Sequence, residues 1–403
     1  MIPQDFPGRG KVAVLKTQPE TVLSDVREAM HLADYERALP KNRDTILKIN
    51  ISWQTWYPAC STTPWQLEGV IRTLQEDGYR GLMGAHNRTV VVDAYVGERN
   101  NKHKYVVDKY GVANIHLYEP QIEWVTYAPS KPFLVLDQIF PEGVRVPKLF
   151  YDRNIIQLPT VKTHVFTTIT GAMKNAFGGL LSDRRHWTHA VIDETLVDLL
   201  QIQQDIHSGL FAMMDGTFAG DGAGPRAMRP HEKDFLLASA DQVAIDAVSA
   251  KLQGFDPMEL PFIRIAHEKG LGIGNPKDIE IVGYDISLED WKFVREDTFA
   301  SKGQRLIYHG PLKRLEKPLL RSPLVGWSYF ASNFYHNVYW YPVVGRKRVK
   351  DALDTKWGRL FQSYGNGKVV LPGPEPVPTA MAAAGAAGLL AAIALGARTM
   401  RKG

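Results

Sequence analysis

The sequence predicts an α/β fold in which helices flank a mostly parallel sheet. In the first 300 residues, short apolar runs typical of buried strands alternate with segments whose apolar residues recur at helical spacing. Strands that alternate with helices form parallel sheets through right-handed crossovers. The composition is that of a globular protein, because 44% of the 403 residues are hydrophobic and 23% are charged.

The elements follow one another in a regular order. The apolar runs predict strands at residues 11–17, 45–51, 80–85, 112–117, 133–137, 155–159, 210–214, 235–240 and 279–282. The helical spacing predicts helices at residues 21–35, 64–77, 193–207, 241–252 and 261–269. Local signals support these bounds: Thr63 and Asp241 are suitable N-caps, and Gly78, Gly254 and Gly270 follow helix ends.

Charge and cysteine content exclude several classes of protein. The net charge is +5, and its excess is concentrated at residues 313–350 and 398–402, next to aromatic residues in the first of these segments. This arrangement favours anionic lipid over nucleic acid as a partner, and no nucleic-acid-binding motif is present. Cys60 is the single cysteine, so the chain forms no internal disulfide and no thiolate metal centre of its own.

The C-terminal quarter differs from the α/β part, which we expect to span residues 1–300. Residues 301–370 are aromatic and basic, which predicts either a membrane-interface region or a helical cap. A Pro-rich linker follows at 371–379. Residues 380–397 are uncharged and apolar, which predicts a single transmembrane helix, with an interfacial or oligomerisation helix as alternatives. Because the N-terminus lacks the apolar core of a signal peptide, we expect a cytoplasmic domain that this helix attaches to the membrane.

Residues 158–229 concentrate Lys, His, Asp, Asn and Gly next to predicted strands, so we expect the functional site there. Lys162 and His164 lie two residues apart and point to the same side of an extended chain. Such a pair can hold a phosphate or carboxylate, or polarise a carbonyl while the imidazole moves a proton. A solvent-facing pair at a strand end is the alternative.

Two glycine-rich stretches follow within this region. In the first, at residues 171–180, Lys174 and Asn175 stand between glycines whose backbone amides can approach an anion. An ordinary turn that enters a helix is the alternative. In the second, at residues 215–226, Asp215 is a candidate base or cation ligand, and Asp221 with Arg226 can clamp an anionic substrate. Tight Asp-Gly turns are the alternative there.

His186 and His189 are three residues apart and can share a helix face. With Asp193 or Asp215 they would supply the ligands of a divalent metal ion, although no H-E-x-x-H pattern supports this. A ligand-contacting histidine and plain surface histidines are the alternatives. Our predicted set of site residues therefore contains no metal ligand.

The motifs resemble the family known as domain of unknown function 362, a prokaryotic α/β family. The resemblance rests on I-L-K-I-N, S-T-T-P, L-P-T-V-K-T-H, T-G-A-M-K-N-A-F-G-G, M-D-G with G-D-G-A-G-P, and S-A-D-Q-V-A-I-D-A-V, in this order between residues 11 and 283. This chain has Ile49 where the family usually has proline, and it lacks the ferredoxin-like cysteines of many relatives. The resemblance implies a shared fold and site near redox or cofactor metabolism, without a settled reaction.

We therefore expect an enzyme or cofactor-handling protein that binds an anionic small molecule at the strand ends; the sequence does not specify its cofactor. The predicted catalytic residues are His164, Lys174 and Asp215, and the predicted ligand-binding residues are Lys162, Gly171, Asn175, Gly178, Gly179, Asp221, Gly222, Gly224 and Arg226. The first alternative is a non-catalytic, membrane-tethered partner of a redox complex. The second is a metal-dependent hydrolase that uses His186, His189 and Asp215.

Overall fold

The computed structural model describes residues 2–87, 92–298, 301–302, 308 and 332–372. The chain divides into two compact units. The first contains residues 1–296 and 349–371, and the second contains residues 297–348 and 372–403.

The described residues contain strands and helices that alternate over most of the first unit. The strands are β1 (Lys11–Lys16), β2 (Thr45–Ile49), β3 (Leu82–His86), β4 (Ala113–His116), β5 (Trp124–Thr126), β6 (Arg145–Pro147), β7 (Asn154–Leu158), β8 (Thr160–His164), β9 (Thr168–Ile169), β10 (Gly209–Ala223), β11 (Ala227–Ser239) and β12 (Glu280–Gly283). The α-helices are α1 (Val22–Leu32), α2 (Tyr35–Ala38), α3 (Pro64–Glu76), α4 (Ala94–Asn100), α5 (His103–Lys109), α6 (Leu136–Ile139), α7 (Ala172–Leu180), α8 (Ile192–Ile206), α9 (Gln242–Gln253), α10 (Pro261–Glu268), α11 (Arg346–Leu353) and α12 (Lys356–Ser363). Short 3₁₀ segments lie at Lys148–Phe150, Asp183–Val191, Pro257–Glu259 and Pro276–Asp278.

The central sheet is mostly parallel. Its strands lie in the order β12-β1-β11-β10-β7-β2-β3-β4, β8 also pairs with β10, and β9 pairs with β8. Strand β11 runs antiparallel to both of its neighbours, whereas β10, β7, β2, β3 and β4 pair in parallel. The prediction of a mostly parallel α/β sheet with flanking helices is therefore confirmed. The parallel strands end at one shared edge, which we call the carboxyl edge.

Burial explains why these strands lie inside the sheet. Strands β2 and β7 are buried along their whole length, as expected when helices cover both faces of a parallel sheet. Helix α1 packs on α3 and α3 on α5, while α7 packs on α8 and α9. The predicted caps are also present, because Thr63 begins α3 in a capping box and the Asp241 carboxylate accepts two amides at the start of α9.

Two expectations about strands were wrong. Residues 133–137 form no strand; the Asp198 carboxylate accepts the backbone amides of Leu134, Val135 and Leu136, which removes their need for a neighbouring strand. The expected glycine-rich loop after residue 214 is also incorrect, because β10 continues to Ala223 and pairs with β11 in a long hairpin. The expectation failed because glycine and aspartate, which are frequent in this segment, are poor strand formers and locally favour turns.

The last described residues of the first unit return to its α/β core. In α12, Trp357 packs on Trp65 with ring centroids 5.4 Å apart, and its indole N–H donates to Asp234. Tyr364 donates a hydrogen bond of 2.6 Å to Glu68 of α3. The region predicted at 301–370 is thus divided between the two units, and residues 349–371 belong to the first.

The second unit contains a helical segment with π-helical hydrogen bonding at Phe334–Gly345. This segment is rich in aromatic residues, and whether it is a membrane-interface region or a cap stays a prediction. The predicted transmembrane helix at 380–397 and all but the first two residues of the 371–379 linker lie outside the described residues. Among the helices that the structure describes, none combines the length and the apolar character that a membrane span requires.

Candidate functional site

Lysine side chains gather at the carboxyl edge of the sheet. Lys48 lies one residue before the end of β2, and Lys162 lies in β8, which follows β7 directly. Lys174 comes from α7, which packs against β7 and β2. We call Lys48, Lys162 and Lys174 the lysine cluster.

The ammonium groups of Lys48 and Lys162 are buried and contact uncharged oxygen atoms. Lys162 Nζ donates to Thr160 Oγ1 at 2.6 Å, the Cys60 carbonyl at 3.0 Å and Asn50 Oδ1 at 3.3 Å. Lys48 Nζ donates to its neighbouring carbonyl, that of Ile49, at 2.6 Å. Burial lowers the pKa of Lys162 to about 8 and that of Lys48 to about 7.

Helix α7 makes room for Lys48 and presents Lys174. A Cβ atom on Gly179 would lie 2.6 Å from Lys48 Cε, so the glycine at this position permits the close approach of the lysine stem. A Cβ atom on Gly178 would lie 3.6 Å from Lys48 Nζ. Lys174 is half-buried over the ring of Phe177, and burial lowers its pKa to about 8.

Asn175 fixes the position of α7 on the sheet. Its side-chain amide donates to the Lys48 carbonyl at 2.8 Å and to Gln157 Oε1 at 2.9 Å. Asn175 is buried, and its Oδ1 atom has no hydrogen-bond partner among the described residues. The residue therefore joins α7 to β2 and β7 beside the lysine cluster.

Within the described part of the chain, no carboxylate oxygen lies within 4 Å of any of the three lysine Nζ atoms. None of the ion pairs among the described residues includes these lysines. Arg185 adds positive charge to this region, and its charge lowers the pKa of both Lys48 and Lys174. Lys162 has the same effect on Lys174. Buried cations are stable when an anion neutralises them, so this cluster has the electrostatic character of an anion site.

Asp215 lies near enough to Lys162 for its charge to oppose the lowering of the lysine pKa, as the Cys60 thiol also does. Its carboxylate is fully buried; it accepts a hydrogen bond from the hydroxyl of Thr63 and one of 2.7 Å from the Thr217 amide. Burial raises the pKa of Asp215 although these hydrogen bonds oppose the shift. The carboxylate thereby anchors Thr63, the residue that begins α3.

His164 lies buried at the end of β8. Its Nδ1 atom accepts the backbone amides of Phe166 at 3.2 Å and Thr167 at 3.4 Å. A neutral His164 therefore carries its proton on Nε2. The prediction that His164 acts as an acid or base requires this second nitrogen to reach the substrate.

The amides that follow Gly171 already have an acceptor within the protein, the buried carboxyl group of Asp246, whose pKa is raised to about 7 by burial. Asp246 of α9 accepts the backbone amides of Ala172 at 2.6 Å and Met173 at 3.1 Å, at the N-terminus of α7. A Cβ atom on Gly171 would lie 2.1 Å from the Asp246 carboxylate. These two amides therefore join α7 to α9 through Asp246, and the prediction that Gly171 binds an external anion stays a prediction.

Asp221 and the glycines after it lie in the β10–β11 hairpin. Asp221 accepts a bidentate pair of hydrogen bonds from Arg229 at 2.9 and 2.8 Å and a further contact from His231 at 3.0 Å. Burial opposes the ionised form, but His231 and Arg229 outweigh it and hold the pKa of Asp221 below its usual range. We call Asp221, Arg229 and His231 the Asp221 cluster. Asp221 does not pair with Arg226, which donates to the Ser52 carbonyl at 3.0 Å.

Gly222 and Gly224 serve the packing of the hairpin. Gly222 has a φ of +97°, and its amide donates to the Val294 carbonyl at 2.9 Å, so that amide is already used. A Cβ atom on Gly224 would lie 1.9 Å from the Thr163 carbonyl oxygen of β8. Both glycines therefore allow the hairpin to approach its neighbours.

The proposed metal ligands around His186 do not assemble. His189 Nδ1 contacts the His186 carbonyl at 2.9 Å, and burial lowers the pKa of His189 to about 4. Asp193 lies in the first turn of α8, and its Oδ1 atom has no hydrogen-bond partner among the described residues. Among the residues that the structure describes, neither histidine belongs to a group of three metal-ligating side chains, so the hydrolase hypothesis lacks its metal centre there.

Two sets of residues were missed by the sequence analysis. Lys48 stands within the I-L-K-I-N motif, but its strand pattern gave no sign that its ammonium group lies beside Gly178 and Gly179. His86, Glu98 and His116 form a buried group whose ligand atoms all lie within 4.8 Å of one another. The signal available in the sequence was a histidine near the end of two predicted strands, since His86 follows the strand predicted at 80–85 and His116 lies in the strand predicted at 112–117.

These observations define a mixed α/β protein with a cationic candidate site at the carboxyl edge of its mostly parallel sheet. Residues 45–251, from β2 into the last turn of α9, match the family described as Domain of unknown function (DUF362), and the chain belongs to this family.

A thylakoid-associated protein of Synechocystis sp. is 29% identical over 163 residues, which are 37% of this chain and 48% of that protein. The chain thus matches about half the length of this curated relative. No solved structure matches this chain.

Proposed function

We propose that this protein is a membrane-associated enzyme or cofactor-handling protein that binds an anionic small molecule in the lysine cluster. The observation that carries the proposal is that Lys48, Lys162 and Lys174 place three ammonium groups at one edge of the sheet with no carboxylate within ion-pair distance among the described residues. The chemical class of the ligand is a phosphate or polycarboxylate, because several lysines suit an anion with more than one charge.

The arrangement also supplies groups for chemistry on the bound anion. An amine with a pKa near 7 or 8 exchanges protons at neutral pH, which suits Lys48, Lys162 and Lys174 to proton transfer as well as to binding. His164 is the proposed acid or base from the neighbouring strand end. Redox or cofactor metabolism is the setting that the family resemblance suggests.

The test is ligand binding by the full chain. Isothermal titration calorimetry with inorganic phosphate, pyrophosphate and citrate should give a one-to-one complex with at least one of them, and native mass spectrometry of gently purified protein should reveal a bound organic anion. Lys174→Ala should weaken binding by about 10-fold to 100-fold, because a hydrogen bond to a charged group contributes about 1.5–3 kcal/mol.

The matched control is Lys104→Ala. Lys104 is an exposed lysine whose ammonium group pairs with Asp108 at 2.6 Å, so its loss changes the net charge equally and should leave binding unchanged. Equal affinity in the wild type and Lys174→Ala, or no binding of any probe together with no co-purified anion, would reject the proposal.

A second candidate function is that of a non-catalytic, membrane-tethered partner of a redox complex. The supporting observation lies in the second unit, where Phe334, Val338, Tyr339 and Val343 are exposed on the helical segment at Phe334–Gly345. Basic residues 346–348 follow directly. Exposed aromatic and aliphatic side chains beside basic residues suit the surface of an anionic membrane, and the name of the Synechocystis relative points in the same direction.

Vesicle flotation tests this second candidate. The full chain should float with vesicles that contain anionic lipid, and the double variant Phe334→Ser and Tyr339→Ser should float less. Leu288→Ser is the control, because Leu288 is 96% exposed and lies in the first unit. Equal flotation of the wild type, the double variant and Leu288→Ser would reject a role of this helical segment in membrane binding.

A further inference from the structure

A second cluster of chemically reactive side chains lies at the ends of β3 and β4. His86 is the last residue of β3, His116 is the last residue of β4, and the two are direct partners in the parallel register. Their rings lie 5.0 Å apart between centroids. Glu98 from α4 completes the group, and all three side chains are buried.

The ligand atoms converge on one point. Nε2 of His86 and Nε2 of His116 both approach the same carboxylate oxygen, Glu98 Oε1. The His116 contact has hydrogen-bond geometry, whereas His86 Nε2 lies equally close to Glu98 Oε1 without that geometry, although the His86 side chain is only 3% exposed. Two buried imidazole nitrogens that approach one carboxylate oxygen, with hydrogen-bond geometry in only one of the two contacts, are arranged as the ligands of a shared cation would be.

Further residues hold His116 in this orientation. Its other ring nitrogen, Nδ1, lies 3.6 Å from Glu119 Oε1, and the hydroxyl of Tyr95 donates to the same carboxylate oxygen. The ring of Tyr95 covers His116 with centroids 3.9 Å apart. A carboxylate near the second nitrogen of an imidazole occupies the position of an outer-shell partner of a metal-bound histidine, although 3.6 Å is longer than a hydrogen bond.

We propose that His86, Glu98 and His116 bind one divalent first-row transition-metal ion, with Zn²⁺ or Fe²⁺ as the best matches to this ligand set. Two imidazole nitrogens and one carboxylate oxygen suit these ions, and three protein ligands leave at least one coordination position open. A water molecule or a substrate oxygen can fill such a position.

The proposed ion would lie next to the lysine cluster. Lys48 stands on β2, the strand adjacent to β3, and its charge acts on His86. Asn87, the residue after His86, donates its backbone amide to the carbonyl of Gly178, beside Lys48 Nζ. A metal ion here would therefore add positive charge to the same edge of the sheet, although its binding does not depend on the anion.

Cobalt titration of the EDTA-treated full chain tests the proposal. We expect one equivalent of Co²⁺ to bind, with the visible ligand-field absorption of a nitrogen- and oxygen-coordinated ion, and Zn²⁺ to displace it. Inductively coupled plasma mass spectrometry of protein purified without chelators should find about one metal ion per chain, as expected for a single site.

Four variants distinguish this site from other histidines. His86→Ala and Glu98→Gln should each weaken Co²⁺ binding by about 100-fold or more, since each removes a ligand, and Glu119→Gln should weaken it by about 10-fold as an outer-shell change. His31→Ala is the matched control, because His31 also contacts carboxylates, those of Asp77 and Glu36, but is half-exposed; its affinity should equal that of the wild type.

Circular dichroism checks that each variant folds. If His86→Ala does not fold, Glu98→Gln still tests the proposal, because it preserves the volume of the side chain. No Co²⁺ binding by the folded wild type would overturn the proposal, as would equal affinity in the wild type and folded Glu98→Gln. The outcome is separable from anion binding, because Lys174→Ala should leave Co²⁺ affinity within about twofold, as expected for a residue outside the ligand shells.

Discussion

The lysine cluster and the Asp221 cluster both contain residues of the polar region at 158–229, yet their charges are compensated in opposite ways. Asp221 is neutralised by Arg229 and His231, which reach it from β11. Lys48, Lys162 and Lys174 come from β2, β8 and α7 and meet no carboxylate within ion-pair distance among the described residues. The first cluster is electrostatically complete, and the second retains positive charge.

The difference separates a structural polar cluster from a candidate binding site. Charged side chains that are paired within the fold contribute to its specificity, and an external ligand would have to compete with the existing partner. Charged side chains buried without a countercharge raise the free energy of the folded state until a ligand supplies that charge. The comparison therefore makes opposite predictions for the two clusters.

The largest expected effect is on ligand binding. The double variant Lys48→Met and Lys174→Ala should raise the dissociation constant for the best probe anion by about 10²-fold to 10⁴-fold, because two charged hydrogen bonds of about 1.5–3 kcal/mol each are lost. Arg229→Ala removes one positive charge from the Asp221 cluster and should change this constant by less than about twofold. Titration calorimetry measures both, and a comparable loss in Arg229→Ala would end the distinction between the clusters.

The next effect is a loss of stability, which we expect only for substitutions in the Asp221 cluster. Arg229→Ala leaves a nearly buried carboxylate with one fewer partner and should lower the free energy of unfolding by about 1–3 kcal/mol. Part of the pair is exposed, so the full cost of a buried ion pair does not apply. Urea denaturation at pH 7 gives the value; an unchanged midpoint would mean that Asp221 needs no countercharge.

The smallest expected effect is a gain in stability, in contrast to the loss expected for Arg229→Ala. Lys48→Met should raise the free energy of unfolding by about 1 kcal/mol or more at pH 6, because it removes a buried ammonium group that the fold does not neutralise. The folded-state pKa of Lys48 is lowered to about 7, so the unfolded chain binds more protons between that value and the ordinary lysine pKa. The gain should thus be complete below about pH 7 and vanish near pH 10.5 as the wild type recovers stability.

Urea denaturation of wild type and Lys48→Met at several pH values provides the measurement. Lys104→Met serves as the exposed control and should show no such pH dependence. A destabilised Lys48→Met at every pH would indicate that Lys48 supports the fold through its hydrogen bond to the Ile49 carbonyl, and the lysine cluster would lose one of its members.

Local sequence predicted the scaffold well. Apolar periodicity placed β2, β7, α8 and α9, and Thr63 and Asp241 were recognised as caps, because these features depend on residues within a few positions of one another. The same reasoning failed at residues 133–137. The carboxylate of Asp198, which is distant in sequence, accepts backbone amides there that would otherwise pair with a neighbouring strand.

The candidate site was predicted only in part, for the same reason. The residue types in the 158–229 region indicated anion chemistry by themselves, and Lys162 and Lys174 came from that signal. The contacts that fix the glycine-rich stretch at 171–180 come from residues far away in the chain. Asp246 accepts the amide after Gly171, and the side chain of Lys48 lies beside Gly179.

The sequence by itself determined where most strands and helices of the α/β part form and which segment is rich in ionisable groups, since both are largely local properties of composition and spacing. Only the tertiary structure decided which of those groups are neutralised and which are not, and that His86, Glu98 and His116 converge. Charge compensation depends on distances across the fold between residues remote in sequence, and no local pattern encodes those distances.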